Sequence, residues 1–248
     1  MPPRPQVGSI ERVRGPLAES LVTLAGMPDD TSNLDDHLVT IARLAADMVT
    51  PVSYASVTVM RENAYTTVAA TSELAVAVDK AQYADQSGPC LESLDEGMPV
   101  AVPDIAATMK WPGFRDTAFQ LGLRASVSVP LFAGSGRPVA VLNLYGHDAG
   151  LMARLAGRVL AAFDTDVADA TRSEGPEDPD WDAGSQDLIA GLNEAFAVRT
   201  CIQQCIGIII QRERCTPDSA YLILRGRAAE TGESLLGLAQ ALVHPFDR

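Results

Sequence analysis

The run Arg199-Thr-Cys-Ile-Gln-Gln-Cys-Ile-Gly-Ile-Ile-Ile-Gln211 lies in a stretch with apolar residues at positions 188, 192, 195, 196, 202, 206 and 209. That spacing has the period of an α-helix and predicts one long helix from Asp187 to about Arg214. Next, Thr216-Pro-Asp-Ser-Ala-Tyr-Leu-Ile-Leu-Arg225 opens a second helix, with Thr216 as N-cap and Pro217 at the first helical position. Thr231-Gly232 makes a turn, and Glu233 to Val243 reads as a third helix. This helix-only region is set off by Arg172-Ser-Glu-Gly-Pro-Glu-Asp-Pro-Asp180, an acidic stretch with two prolines that reads as a linker.

Upstream of the linker the period changes. Leu34 to Val49 carries apolar residues at 34, 38, 41, 44, 45 and 48, predicting a helix capped by Ser32 or Asn33 and ended by Pro51. Tyr54–Met60 and Tyr65–Thr71 alternate as strands about the turn Arg61-Glu-Asn-Ala64. A helix over Leu74–Tyr83, a short helix opened by Pro89, a strand at Pro99–Val102 and an irregular-then-helical stretch from Asp104 to Leu121 follow. Arg124–Leu131 and Pro138–Tyr145 form a hairpin across Ala133-Gly-Ser-Gly-Arg137, and Leu151–Thr171 reads as a helix. The expected class is α+β: one antiparallel sheet with helices on one face, followed by an all-α three-helix unit. The expected divisions are a loosely ordered segment 1–30, a sheet domain 31–172, a linker 173–183 and a helical domain 184–248. Within the first segment, Leu17 to Leu24 is apolar enough for a helix that packs on something else.

Composition narrows the function classes. No apolar run approaches the ~18 residues a membrane span needs, and Met1-Pro-Pro-Arg-Pro-Gln6 lacks the apolar core of a secretory signal, so a cytoplasmic location is expected. Cys90, Cys201, Cys205 and Cys215 then read as buried thiols, and no histidine stands near the C-terminal three to complete a metal site. The formal net charge is −13, unfavourable for a polyanionic partner, but residues 186–248 hold six basic and seven acidic side chains, so most of the excess lies upstream.

The C-terminal runs closely resemble the ANTAR family, whose members bind paired RNA hairpins in nascent transcripts and prevent termination. The resemblance covers about the last 60 residues without a gap. Arg199, Ile202, Gln204 and Gly207 match the family pattern, as do Ala220, Tyr221, Leu224 and Arg225, then Leu235, Leu238, Ala239 and Val243. Gln203 replaces the usual acid, Cys205 the usual alanine and Ile206 the usual lysine, and Glu233-Ser234 stands where a basic residue is usual. The resemblance implies RNA contacts at Arg199, Gln203, Gln204, Tyr221, Arg225 and Arg227. Arginines reach phosphates or stack on bases, Tyr221 offers a stacking face, and the glutamines read base edges. Two bland readings stay open: Arg199 as a bridge to Glu194 or Glu230, and Tyr221 as a core aromatic. Gly207 is expected to permit close helix approach. The missing cations predict a shallow salt dependence.

Residues from about Asp30 to Arg172 resemble a GAF domain through Gly88-Pro-Cys-Leu-Glu-Ser93, Pro99-Val-Ala-Val-Pro-Asp104, Gly122 to Leu131 and Pro138 to Tyr145. The resemblance implies a small-molecule pocket between the sheet and the helix-rich excursion, lined by Tyr54, Cys90, Trp111, Phe114, Ser126, Ser128 and Asn143; the alternative is that these side chains fill a core. No ligand or cofactor is named by the sequence: Cys90 is followed by Leu91 rather than a histidine for bilin attachment, and the cyclic-nucleotide pattern is absent.

Taken together, the expected function is transcription antitermination through RNA hairpins, controlled at the GAF domain, by a homodimer paired through the apolar stripe of the long helix. The alternatives are a sensor whose C-terminal helices only dimerise, and a reductase of free methionine sulfoxide using Cys90, which has no second cysteine in its domain to resolve it. The proline-broken linker predicts loose coupling between the domains.

Overall fold

Tyr54–Arg61 (β1) turns directly into Ala64–Ala70 (β2) because Glu62 and Asn63 both take positive φ, 50° and 62°, the conformation of a tight two-residue hairpin turn. Val100–Val102 (β3), Ala125–Phe132 (β4) and Pro138–Gly146 (β5) complete the sheet. Its order is β2-β1-β5-β4-β3, with every neighbouring pair antiparallel. These coordinates are a computed structural model, which describes residues 14–164 and 181–243.

Strand alternation gives the sheet two different buried faces. Ala55, Val57, Val59, Val127, Val129, Leu131, Leu142 and Leu144 pack into one large apolar core. Over that core lie Pro16–Gly26 (α1), Leu34–Met48 (α2), Ala149–Phe163 (α6) and the start of a 31-residue helix, Ala183–Glu213 (α7). The other face presents Ser56, Thr58, Ser126, Ser128, Asn143 and Tyr145, also buried, to Glu73–Asp85 (α3), Pro89–Glu96 (α4) and Pro112–Gln120 (α5). Helices therefore cover both faces, a correction to the single covered face expected from sequence. On this second face Ser56, Thr58, Ser128 and Asn143 are buried because they bond one another.

Most predicted elements appear in place. Pro89 and Pro217 open their helices, and Thr216 caps Pro217–Thr231 (α8) by accepting from Ser219 N. Gly232, at φ 72°, ends α8, and Leu235–Val243 (α9) follows. The α6 helix ends at Phe163, with Asp164 already extended; residues 165–171 of the expected helix, and 173–180 of the expected linker, lie outside the described residues.

Helix α7 is the spine of the molecule. Asp182 caps it, and Leu188 and Leu192 belong to the sheet's core. Further on, Val198, Ile202, Cys205, Ile206 and Ile209 build a second core with Ala220, Leu224, Ala228, Leu235 and Ala239. Helix α1 lies along α7 and lacks a side-chain cap of its own. Asp187 supplies one, its Oδ2 accepting from Leu17 N at 2.9 Å. Leu17, Leu21 and Leu24 are fully buried, each worth about 1.5–3 kcal/mol. The apolar stripe of α7 is thus covered within one chain, which removes the reason given for a homodimer. The shared core likewise replaces the expected loose coupling with direct docking. Among the described residues, no helix is long and apolar enough to cross a membrane.

Two glycines on α7 behave oppositely. A Cβ at Gly191 would stand 2.5 Å from Ala18 Cα, whereas one at Gly207 would meet nothing within 4 Å. Gly207 is therefore not the site of close helix approach expected from sequence; Gly191 is. Gly191→Val is expected to lower stability by about 1–3 kcal/mol through forced separation of α1 and α7. Gly207→Ala should raise it by about 0.5–1 kcal/mol through helix propensity. Urea unfolding of the two variants checks both signs.

Candidate functional site

Asp79 and Gln82 sit on the same face of α3 as Ala75 and Val78, and all four are buried. Asp79 Oδ1 accepts from Tyr145 Oη at 2.7 Å and Oδ2 from Thr67 Oγ1 at 2.9 Å. Tyr83 Oη lies 2.8 Å from both Thr67 Oγ1 and Thr58 Oγ1. Asn143 Nδ2 reaches Thr58 Oγ1 at 3.1 Å, Ser56 Oγ at 3.3 Å and Asp79 Oδ1 at 3.4 Å, while its Oδ1 accepts from Ser128 Oγ at 2.9 Å. Each hydroxyl has one proton to give. Thr67 gives its proton to Asp79, so Tyr83 donates to Thr67 and Thr58 to Tyr83. The chain of donors runs toward the carboxylate, the polarity that an ionised Asp79 requires.

Burial pushes the Asp79 carboxyl from its ordinary 3.8 up to about 6, against the opposing pull of bonds from Tyr145, Ser56 and Thr67. Desolvation, then the charge of Asp79, pushes the Cys90 thiol up to about 12 and raises Tyr83 and Tyr145 as well. A thiol so raised stays protonated and is a poor nucleophile, which weighs against the reductase alternative.

Of the expected pocket residues, Ser128 and Asn143 stand inside this network, and Cys90 lies beside Thr58 and Asn143. Ser126 faces the same side as the register partner of Tyr145, its Oγ buried and without a hydrogen-bond partner. Trp111 and Phe114 meet edge-on at 6.5 Å in an apolar cluster that includes Tyr145, with Tyr54 packed against it. The sequence reading missed Asp79, Gln82, Tyr83, Thr58, Thr67 and Tyr145. The signal was available: 75, 78, 79 and 82 share one helical face, so Asp79 and Gln82 fall on the side that Ala75 and Val78 bury.

A second cluster joins the sheet domain to the C-terminal helices. The β4–β5 loop, residues 133–137, and the segment 27–30 after α1 lie against α7 and α8. The Arg199 guanidinium stacks over the Phe132 ring at 3.8 Å, and its Nε donates to Gly136 O at 3.0 Å. Gln203 Nε2 donates to Ser135 O at 2.6 Å. Arg225 pairs with Asp30 at 2.7 Å and Arg137 with Asp218 at 2.6 Å. Tyr221 Oη lies 3.4 Å from Asp29 Oδ1 and accepts from Asp29 N at 3.2 Å, while that same carboxylate oxygen takes Ser135 N at 2.8 Å.

The six residues expected to contact RNA therefore divide. Arg199 and Gln203 meet the β4–β5 loop of the sheet domain, while Tyr221 and Arg225 meet Asp29 and Asp30 in the segment just ahead of it. Arg227 instead pairs with Glu213 at 3.2 Å, and Gln204 lines an open groove with Gly207, Ile208, Gln211, Arg212 and Val243. Arg199 takes neither alternative partner: it turns to Gly136, and Glu194 pairs with Arg14. Tyr221 is half-buried against the second core with its hydroxyl on Asp29. Ile206, where the family has a lysine, is buried.

The arrangement is that of an α+β domain docked on a helical domain. Family models agree: the GAF domain matches residues 31–170 and the ANTAR domain residues 190–243. The chain belongs to the GAF-domain family and carries an ANTAR domain behind it, two regulatory modules in one polypeptide. Among solved structures, it resembles the GAF domain of Aquifex aeolicus nlh2 in an inactive state, at 9% identity over 74% of this chain and 94% of that one, with a TM-score of 0.40. It also resembles a GAF domain region from Geobacter sulfurreducens, at 13% identity over 52% and 91%, with a TM-score of 0.36. A type II free methionine-R-sulfoxide reductase from Thermoplasma acidophilum matches at 11% identity over 58% and 89%, with a TM-score of 0.34. No curated protein matches the chain.

The raised Asp79 carboxyl makes a pH prediction. The folded state holds this proton more tightly than the unfolded chain, so the associated stability is full below pH 4 and is lost as pH rises through 6. Asp79→Asn removes that loss. Relative to wild type, the variant should gain up to about 3 kcal/mol between pH 4 and pH 7.5, read from melting curves across that range.

Proposed function

We propose that the chain is a transcription antitermination regulator whose C-terminal helices bind paired RNA hairpins, under control of a ligand or signal at the GAF domain. One observation carries this reading: of the side chains expected to contact RNA, Arg199 and Gln203 are held by the sensor's β4–β5 loop, and Tyr221 and Arg225 by the segment 27–30 that leads into the sensor. Asp29, Asp30 and the loop carbonyls occupy these side chains in place of RNA acceptors, so the described arrangement is the closed state. Exposed ion pairs are worth about 0.2–1 kcal/mol each, and the stacked arginine adds about 0.5–2 kcal/mol. The clamp is thus a matter of a few kcal/mol, within reach of a ligand that prefers the open arrangement. Such a protein works in the cytoplasm, where transcripts are made. The reading needs no second copy on the α7 stripe, which its own chain covers.

One observation favours the alternative, a sensor whose C-terminal helices serve only as an interaction module. Ile206 is buried in the helical core where the family's lysine would supply a cation. Titration of an RNA bearing two short hairpins, at low and at physiological salt, separates the two. Wild type should bind weakly, and the double variant Asp30→Asn/Arg137→Ala several-fold more tightly. Arg225→Ala opens the same clamp yet removes the RNA contact, so it should lose binding while staying folded. No saturable binding by the double variant at low salt would replace antitermination with the interaction reading.

A further inference from the structure

The Asp79 carboxylate is buried with neutral groups against it: Tyr145, Thr67, Asn143 and Ser56. Among the described residues no ion pair reaches it, and its neighbour Lys80 is exposed. A buried charge without a counter-charge is costly, and here it is held ionised by a directed chain of donors. The network runs outward to partly exposed groups at one edge of the sheet. Thr67 sits on the edge strand β2 and is only half-buried, as is Tyr83. The Tyr65 ring stacks on Tyr83 with centroids 5.9 Å apart and an interplanar angle of 20°. Aromatic faces beside a carboxylate form a cation-recognising combination. Deeper in, Ser126 Oγ is a buried polar atom without a partner among the described residues.

We propose that this cluster is a binding site for a small organic cation, a primary ammonium or guanidinium compound, entering at the β2 edge past Tyr65 and Tyr83 to pair with Asp79. The inference rests on the reading of the GAF domain as the sensor and names the ligand class that domain takes. The bound N–H groups would replace the Thr67 hydroxyl on Oδ2, and the remainder of the ligand would reach toward Asn143 and Ser126. An anion of the same shape would meet the Asp79 charge unscreened.

The test uses the full chain without RNA, so its result is independent of the antitermination reading. Melting temperature is followed against butylguanidinium, butylammonium and butyrate salts, with potassium chloride matching the ionic strength. A saturable rise with either cation is expected, and none with butyrate or potassium chloride. Asp79→Asn should abolish the rise, while Asp47→Asn, an exposed carboxylate on α2, should keep it. Wild type supplies a check free of any folding defect in the variant: at pH 5, where Asp79 takes up its proton, the rise should shrink several-fold from its value at pH 7.5. The other titratable groups around the cluster are Tyr65, Tyr83, Tyr145 and Cys90, all pushed upward and protonated at both pH values, and Asp95 on α4 near Tyr65 and Cys90. No cation-specific rise, or an equal rise in Asp79→Asn, would overturn the proposal.

Discussion

The pairing of β4 with β5 runs from Ala125 opposite Gly146 to Phe132 opposite Pro138, and both candidate sites hang on it. Every residue of β4 is buried. Alternation sends Val127, Val129 and Leu131 into the apolar core under α1, α2, α6 and α7, and Ser126 and Ser128 to the polar side under α3 and α4. Asn143 and Tyr145 on β5 complete the contacts with Asp79. The same hairpin ends in the loop that grips Arg199 and Gln203. Gly136 is required there twice over. Its φ of 76° disfavours a side chain, and a Cβ would stand 2.6 Å from Gln203 Cδ. A shift in strand pairing at the polar end would therefore be felt at the loop, because the hairpin between them is packed on both faces.

In the proposed reading, electrostatics explains how an acidic chain can hold the basic groups that would meet a polyanion. The net charge of −13 lies mostly outside the C-terminal helices. Part of it, Asp29 and Asp30, is placed directly against Tyr221 and Arg225. In the proposed reading these carboxylates compete with RNA for the same arginine, so the acidity of the segment leading into the sensor is part of the control. Competition between exposed pairs is salt-sensitive on both sides, and the two dependences partly offset one another.

The architecture was largely legible in the sequence, and the reasons are local. Periodicity placed the helices, Thr216 and Pro217 marked a helix start, and Asn63 marked the hairpin turn. What escaped depends on partners distant in the chain. Ser128 was expected beside a pocket, but Ser56 and Thr58 drew no notice, and only their bonds to Asn143 and Tyr83 explain their burial. Gly207 and Gly191 look alike until α1 is seen lying on one of them. Of the expected RNA residues, the convergence of four on the sensor loop and the segment 27–30 could not be read from spacing, because Arg225 and Asp30 are 195 residues apart. The apolar stripe of α7 suggested a second chain because α1, its actual cover, had been assigned to a loosely ordered segment.

The central claim is that RNA and the sensor compete for one set of side chains. Amide hydrogen exchange of residues 27–30 and 133–137, followed with and without a two-hairpin RNA, tests it most directly. Asp29 N, which donates to Tyr221 Oη at 3.2 Å, crosses to the helical domain and is the protected group to watch, with the neighbouring loop amides Gly134 and Ser135 beside it. The account predicts faster exchange at these positions when RNA binds, as the loop leaves α7. Unchanged or slower exchange in a demonstrably RNA-bound protein would contradict it.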